Sequence, residues 1–327
     1  MKVSVLTTTY NHEKVVGQAI DSVLAQDVSF DYEIVIGEDA STDQTRQIVL
    51  DYQEKHRDKI RVLLRDASEA ERDRALGIGG KTGFISGLEA CQGQYIALLD
   101  GDDYWTSPHK LQKQVDFLDS HPDFAICFHN SEIIAEGNWE GAKTFSPPHQ
   151  KEISTIEDLL AGNFIHSGSS VFRRGLFAEL PRCFLTSETG DWSLHVINAQ
   201  FGKIGYMDEI MAAYRVHANA MWSSAGAVRQ LVSAIRLLDE FNEYLGFKYS
   251  RRIKETQYEY SRDLAAIYRE QGDLVKARAS LRRCLRLRLS ASRKPERDLL
   301  TELMELHVPF LYYPLNRLSK YLYSANK

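Results

Sequence analysis

The sequence predicts an α/β fold: a mostly parallel, Rossmann-like sheet flanked by helices, followed by an α-helical C-terminal module. Three observations carry this reading. Short apolar runs alternate with amphipathic helical patterns through the first third of the chain, as in successive βαβ units. The runs end in polar or acidic residues, and parallel sheets bind ligands at the carboxyl ends of their strands. Beyond residue 225 the apolar positions fall at helical spacing with no strand pattern between them.

Residues 3–6 (Val-Ser-Val-Leu) form the first strand, which leads through Thr7-Thr8-Thr9-Tyr10-Asn11 into a helix over roughly 13–25. The second strand, 32–36, ends in Gly37-Glu38-Asp39-Ala40-Ser41-Thr42-Asp43, whose polar side chains suit the start of a helix through Gln47 and Tyr52. Residues 60–64 make a third strand, and a polar stretch then reaches a helix near 82–90. The fourth strand, 95–99 (Tyr-Ile-Ala-Leu-Leu), runs directly into Asp100-Gly101-Asp102-Asp103. Further on, 192–201 reads as an amphipathic helix and 206–216 as a strand. In the tail, helices are expected over 228–244 and from 252 onward. Two apolar ladders within 264–279 are separated by Gly272-Asp273, which predicts an antiparallel helical hairpin resembling a single tetratricopeptide unit. One such hairpin cannot bury both faces, so it should lean on neighbouring helices.

Three carboxylates in four residues repel one another unless a cation holds them, and a hard divalent ion takes several oxygen ligands. Asp100, Gly101 and Asp102 therefore point to a metal and a sugar-nucleotide. The competing reading is a solvated turn, where Asp and Gly are common. The strand ends bearing Thr8 and Tyr10, Asp39, and the Asp100 cluster should converge on one crevice.

The series T-T-T-Y-N, G-E-D-A-S-T-D-Q-T and G-Q-Y-I-A-L-L-D-G-D-D-Y-W resembles the nucleotide-sugar half of a glycosyltransferase family 2 enzyme. The likeness continues through Phe164-Ile-His-Ser-Gly-Ser-Ser-Val-Phe-Arg173, Gly190-Asp191-Trp192 and Ala213-Tyr-Arg-Val-His217, and fades beyond about residue 225. It implies a GT-A fold and inverting transfer of a sugar from a nucleotide-diphosphate donor, UDP foremost, with Mn²⁺ or Mg²⁺. It further implies nucleotide-sugar contacts at Thr8, Tyr10, Glu38, Asp39, Lys81, Asp100, Gly101 and Arg215, and metal ligands at Asp102 and His217. Glu38 stands where relatives usually carry Asp, and Gly190 where a second acid often precedes the base. Segment 80–87 lacks the Arg-Asn pair frequent before the acidic strand. The domain division expected is 1–224 for the transferase, with 1–105 holding the nucleotide-sugar and 106–224 the acceptor and catalytic part, and 225–327 for the helical module.

Inverting transfer needs a base for the acceptor hydroxyl and electrostatic help for the departing diphosphate. Asp191 is the candidate base, with a helix N-cap as its ordinary alternative; Glu188 is the fallback. If 206–216 is a strand, Arg215 and His217 share a face, which suits phosphate oxygens and a metal respectively. His166 belongs to the acceptor wall or to the core. Trp105 and Trp192 read as core residues with a secondary reading as sugar platforms.

The chain has 327 residues, a formal net charge of −5 and four cysteines, at 91, 127, 183 and 284, without C-x-x-C spacing. This fits reduced thiols in a cytosol and argues against structural zinc. No apolar stretch is long enough to span a membrane and no signal-peptide pattern is present. From residue 225 on there are 20 Lys and Arg against 12 Asp and Glu, so the acidic excess lies in the first part. Residues 276–297 hold nine basic residues against Glu296. Such a run is a solvated face or an attraction to anionic lipid or a phosphate-bearing acceptor. Segment 308–323 mixes aromatics with Arg317 and Lys320, a composition for a membrane interface or for docking on the catalytic domain.

The expectation is a metal-dependent inverting glycosyltransferase in the cytoplasm, peripheral at the inner face of the cell membrane, with a saccharide, lipid-linked or protein acceptor and no nucleic-acid partner. Bacterial surface polysaccharide or glycoconjugate synthesis is the expected setting, and an oligomer is compatible with the sequence. Two alternatives stay open: a nucleotidyltransferase acting on a sugar phosphate, and a helical interaction protein with a degenerate transferase domain.

Overall fold

The computed structural model describes residues 1–77, 79–135, 143–217, 225–290 and 297–307. The chain divides into two compact units, Met1–Ser224 and Ala225–Lys327.

The first unit begins β1 (Val3–Thr9), α1 (Val16–Leu24), β2 (Tyr32–Glu38), α2 (Thr45–Lys55), β3 (Ile60–Leu64), α3 (Ala67–Ala75), α4 (Lys81–Ala90), β4 (Tyr95–Asp100). It continues β5 (Tyr104–Trp105), α5 (Lys110–Ser120), β6 (Phe124–Ala135), β7 (Ile153–Ser154), α6 (Ile156–Leu159), β8 (Val171–Arg173), α7 (Arg182–Thr186), α8 (Gly190–Asn198), β9 (Lys203–Val216). One nine-stranded sheet runs in the order β3-β2-β1-β4-β8-β6-β9-β5, with β7 paired to β9. The four strands of the β3-β2-β1-β4 half are parallel. Antiparallel β8 joins this half to β6, β6 runs parallel to β9, and β5 and β7 pair antiparallel with β9.

Because helices cover both faces of a parallel sheet, its central strands should be apolar throughout. Val3, Val5 and Leu6 of β1, Ile34 and Ile36 of β2, and Leu98 and Leu99 of β4 are accordingly buried. The strands outlast their apolar runs. Backbone pairing carries β1 on to Thr9 and β2 to Glu38, with Thr8 opposite both Gly37 and Asp100. The first helix starts later than expected, at Val16, and the helix placed at 192–201 spans Gly190–Asn198. Helix α3 occupies a stretch read only as polar. Its signal is Asp66, whose carboxylate accepts from the backbone N–H of Ser68 at 2.9 Å and of Glu69 at 3.3 Å as an N-cap.

The second unit holds α9 (Ala227–Tyr244), α10 (Ser250–Glu270), α11 (Leu274–Ser290) and α12 (Arg297–His307). Gly272, at φ +76°, makes the turn between α10 and α11, a backbone conformation that costs glycine little. The two helices run antiparallel: Lys276 lies over the ring of Tyr268 and Arg288 over that of Tyr258. Ile235 of α9, Leu264 of α10, Leu281 and Cys284 of α11 and Leu299 of α12 form one buried cluster. All four cysteines are buried thiols. Segment 308–323 and Arg293 and Lys294 of the basic run lie outside the described residues, as do 136–142 and 218–224.

Candidate active site

The ends of β1, β2 and β4 lie side by side, so the residues that follow them share one edge of the sheet. After β4 the chain turns tightly: Gly101 N donates to Thr8 O at 2.8 Å and Asp103 N to Asp100 O at 3.0 Å. Gly101 is required by space, since a Cβ there would sit 2.7 Å from Thr9 Oγ1 and 3.0 Å from His12 Nδ1. Thr8 Oγ1 donates to Asp100 Oδ1 at 3.1 Å. Burial, with repulsion from Asp102, Asp103 and Asp191, pushes the Asp100 carboxyl up to about 7.

Asp102 faces two imidazoles. Its Oδ2 lies 3.1 Å from His217 Nε2 and 3.8 Å from His12 Nε2. Burial lowers the pKa of His12, with the neighbouring Asp102 opposing that effect. His12 was missed in the sequence because it reads as the start of a helix; its only signal is its position directly after Thr7–Asn11. Arg215 and His217 both reach the acid turn, although Arg215 serves protein groups there. Its guanidinium donates to the Asp102 carbonyl and to Gln18 Oε1 and lies 4.7 Å from the Tyr104 ring centroid.

Asp103 is buried and ties the end of β9 to the turn. Its Oδ1 accepts the backbone N–H of Arg215 at 2.7 Å, and its Oδ2 lies 2.8 Å from His166 Nε2, whose Nδ1 contacts Ser131 Oγ at 2.8 Å. His166 is therefore a core residue rather than part of an acceptor wall. Trp105 and Trp192 are also core, each donating its indole N–H to a backbone carbonyl, of Gly168 at 2.8 Å and of Leu159 at 3.0 Å.

At the β2 end, Asp39 is held by Arg65 Nη1 at 2.5 Å and Arg74 Nη1 at 3.1 Å, and the Arg74 guanidinium lies 4.5 Å over the Tyr10 ring. Glu38 departs from the nucleotide contact implied for it. Its fully buried carboxylate accepts from Ser41 N and Arg46 Nε, each at 2.6 Å, and so anchors the approach to α2. Lys81 departs likewise: its ammonium donates to the carbonyls of Phe184 and Ser187 and to Ser187 Oγ.

Asp191 lies within the first turn of α8; Thr189, at the N-cap position, makes no side-chain capping bond, and the Asp191 carboxylate accepts from the backbone N–H of Trp192. Asn163 Nδ2 donates to Asp191 Oδ2 at 2.9 Å, and burial raises the carboxyl above its ordinary range. Glu188, the fallback, is exposed on the segment before α8.

The donor set suits a divalent ion. A carboxylate and neutral imidazoles ligate Mn²⁺, and Mg²⁺ accepts one or two carboxylates with phosphate and water completing its shell. Among the described residues no three His, Cys, Asp or Glu side chains form a ready-made cage. A site completed by a diphosphate does not require one.

A family model described as Glycosyl transferase family 2 matches residues 4–180. An uncharacterised protein of Mycobacterium tuberculosis is 38% identical over 225 residues, covering 68% of this chain and 61% of its own length. The chain thus spans less than two thirds of that relative. A protein described as an uncharacterised glycosyltransferase of Nostoc is 34% identical over 242 residues, 70% of each chain. A putative teichuronic acid biosynthesis glycosyltransferase, TuaG of Bacillus subtilis, is 29% identical over 68% of this chain and 82% of its own. Among solved structures, Staphylococcus aureus TarS 1-349 superposes with a TM-score of 0.59 at 19% identity, over 88% of this chain and 81% of its own. Its complex with UDP-GlcNAc gives a TM-score of 0.58 at 19% identity, over 86% and 80%. These structural likenesses establish the GT-A fold.

Proposed function

Given that the chain belongs to glycosyltransferase family 2, we propose that it is a metal-dependent, inverting enzyme that moves a sugar from a UDP-sugar to a hydroxyl acceptor. The observation that carries this is the contact of Asp102 with His217 at the end of β4, beside Asp100, whose carboxyl feels the charge of Asp191. Tyr10, stacked under Arg74, and Asp39 offer a flat face and a carboxylate to the nucleobase. Asp100 and Thr8 would reach ribose or diphosphate oxygens, and Asp102 and His217 would hold Mn²⁺ or Mg²⁺. The ion, when bound, supplies positive charge to the departing diphosphate.

Asp191 removes the acceptor proton. A raised pKa suits this role, because a stronger base takes the proton more readily. The Asn163 amide fixes the carboxylate by donating to Oδ2. The nucleotide half is read as 1–105 and the acceptor half as 106–224. The roles of the relatives, teichuronic acid biosynthesis for TuaG and UDP-GlcNAc binding for TarS, support a surface polymer as acceptor and UDP as carrier. Exposed Arg282 and Arg286 on α11 support contact with an anionic surface at the inner face of the membrane.

The test is a panel of nucleotide sugars assayed for hydrolysis and thermal shift with and without Mn²⁺. Release of UDP from one donor, abolished by chelator, is the expected result. Release of pyrophosphate from a nucleoside triphosphate would instead make the protein a nucleotidyltransferase.

A further inference from the structure

Lys81 opens α4, and its ammonium reaches one short segment of the first unit. It donates to the Phe184 carbonyl at 2.8 Å, to Ser187 Oγ at 3.1 Å and to the Ser187 carbonyl. The same nitrogen lies 5.6 Å from the Phe184 ring centroid, and Phe84, one turn along α4, packs its ring 5.9 Å from that ring. Ser187 is itself buried, and its hydroxyl also donates to the Phe184 carbonyl at 3.0 Å. A cation sharing several acceptors at the end of α7 satisfies carbonyls that the short helix leaves unpaired. Four residues later the chain reaches Asp191.

The neighbouring residue leads the other way. Thr82 Oγ1 donates to Asp73 Oδ2 at 2.6 Å, which also accepts from Arg65 Nη2 at 2.7 Å, and Arg65 Nη1 holds Asp39 at 2.5 Å. The side chains of Asp39, Arg65 and Asp73 are about a tenth exposed or less, so these charge-assisted bonds are little screened by solvent. One uninterrupted series of contacts therefore runs from the nucleobase end of the crevice, through the start of α4, to the segment that delivers the base.

We propose that Lys81 is a positioning residue: it fixes segment 184–189, and through it the carboxylate of Asp191, relative to the nucleotide half of the site. This rests on the reading of Asp191 as the general base. It replaces the nucleotide contact that the family resemblance implies for Lys81. Removing the tie should leave nucleotide binding intact and spoil the alignment of Asp191, and misplacement by about 1 Å can cost on the order of a hundredfold in rate.

The experiment compares wild type, Lys81→Met, Lys81→Arg and Ser187→Ala by three readouts: calorimetry with UDP and Mn²⁺, hydrolysis of UDP-GlcNAc, and hydrogen exchange of peptides covering 182–192. Lys81→Met should hold UDP affinity within about twofold, lose roughly tenfold or more in turnover, and exchange faster over 184–191 alone. Lys81→Arg should recover part of both losses, and Ser187→Ala should reproduce a smaller version. Weakened UDP binding with unchanged exchange would make Lys81 a nucleotide contact and overturn the proposal, as would wild-type exchange and turnover in Lys81→Met. Should wild type bind no UDP and hydrolyse no donor, the transferase reading fails, while the exchange of 184–191 still decides whether Lys81 holds the segment.

Discussion

Asp102 Oδ2 and His217 Nε2 lie 3.1 Å apart, joining the end of β4 to the end of β9 across more than a hundred residues of chain. If this pair ligates the metal, Asp102→Asn should abolish turnover and greatly weaken Mn²⁺-dependent UDP binding. His217→Ala should impair both less completely, because the carboxylate remains. Calorimetry with and without Mn²⁺ reads this, and full wild-type activity in excess chelator would remove the metal from the mechanism.

Asp191→Asn keeps the shape of the side chain and removes proton acceptance. Turnover should fall by roughly a hundredfold or more with donor affinity unchanged. Burial raises the Asp191 carboxyl, so the wild-type rate should fall on the acid side with a midpoint above the usual value of about 4. A fully active Asp191→Asn beside an inactive Glu188→Gln would transfer the role to Glu188.

Lys110 is fully buried on α5, with Nζ 4.1 Å over the Trp105 ring and no hydrogen-bond partner among the described residues. Desolvation lowers its pKa to about 7, opposed by Cys127. The unfolded chain then binds the extra proton between that pH and the ordinary lysine value, so stability should rise with pH across this window. Lys110→Met should be more stable at pH 7, by about 1–4 kcal/mol on the precedent of buried charges replaced by apolar residues, and should flatten the rise. Chemical denaturation at pH 7 and 9.5 measures both, and a less stable Lys110→Met would sink the argument.

On α11, Arg283 pairs with Asp239 at 3.0 Å, Arg288 stacks on Tyr258 and the exposed Lys276 pairs with Asp273 at 3.0 Å, while Arg282 and Arg286 are two further exposed members of the basic run. Attraction to an anionic surface contributes about 1 kcal/mol per basic residue and weakens with salt. The protein should pellet with anionic liposomes at low salt and release as salt rises. Arg282→Gln with Arg286→Gln should lose much of this binding with donor hydrolysis unchanged. Equal pelleting with neutral liposomes would leave the run a solvated helix face.

The parallel half of the sheet and its acidic rim are legible in the amino-acid order alone, because apolar runs bounded by turn residues are local signals and strand ends follow from strand order. Asp39, Asp100 and Asp102 were placed at one edge on that ground alone. Tertiary structure decided the rest, because a side chain's role depends on partners far along the chain. Glu38 looks like a second nucleotide acid until Arg46 and Ser41 occupy it. Lys81 looks like a nucleotide-sugar contact until the fold brings α4 against Phe184 and Ser187, more than a hundred residues away. His12, a helix-start residue by pattern, meets Asp102 only because β1 and β4 are neighbours in the sheet. Asp103 and His166 likewise become a buried pair through strand pairing, not spacing.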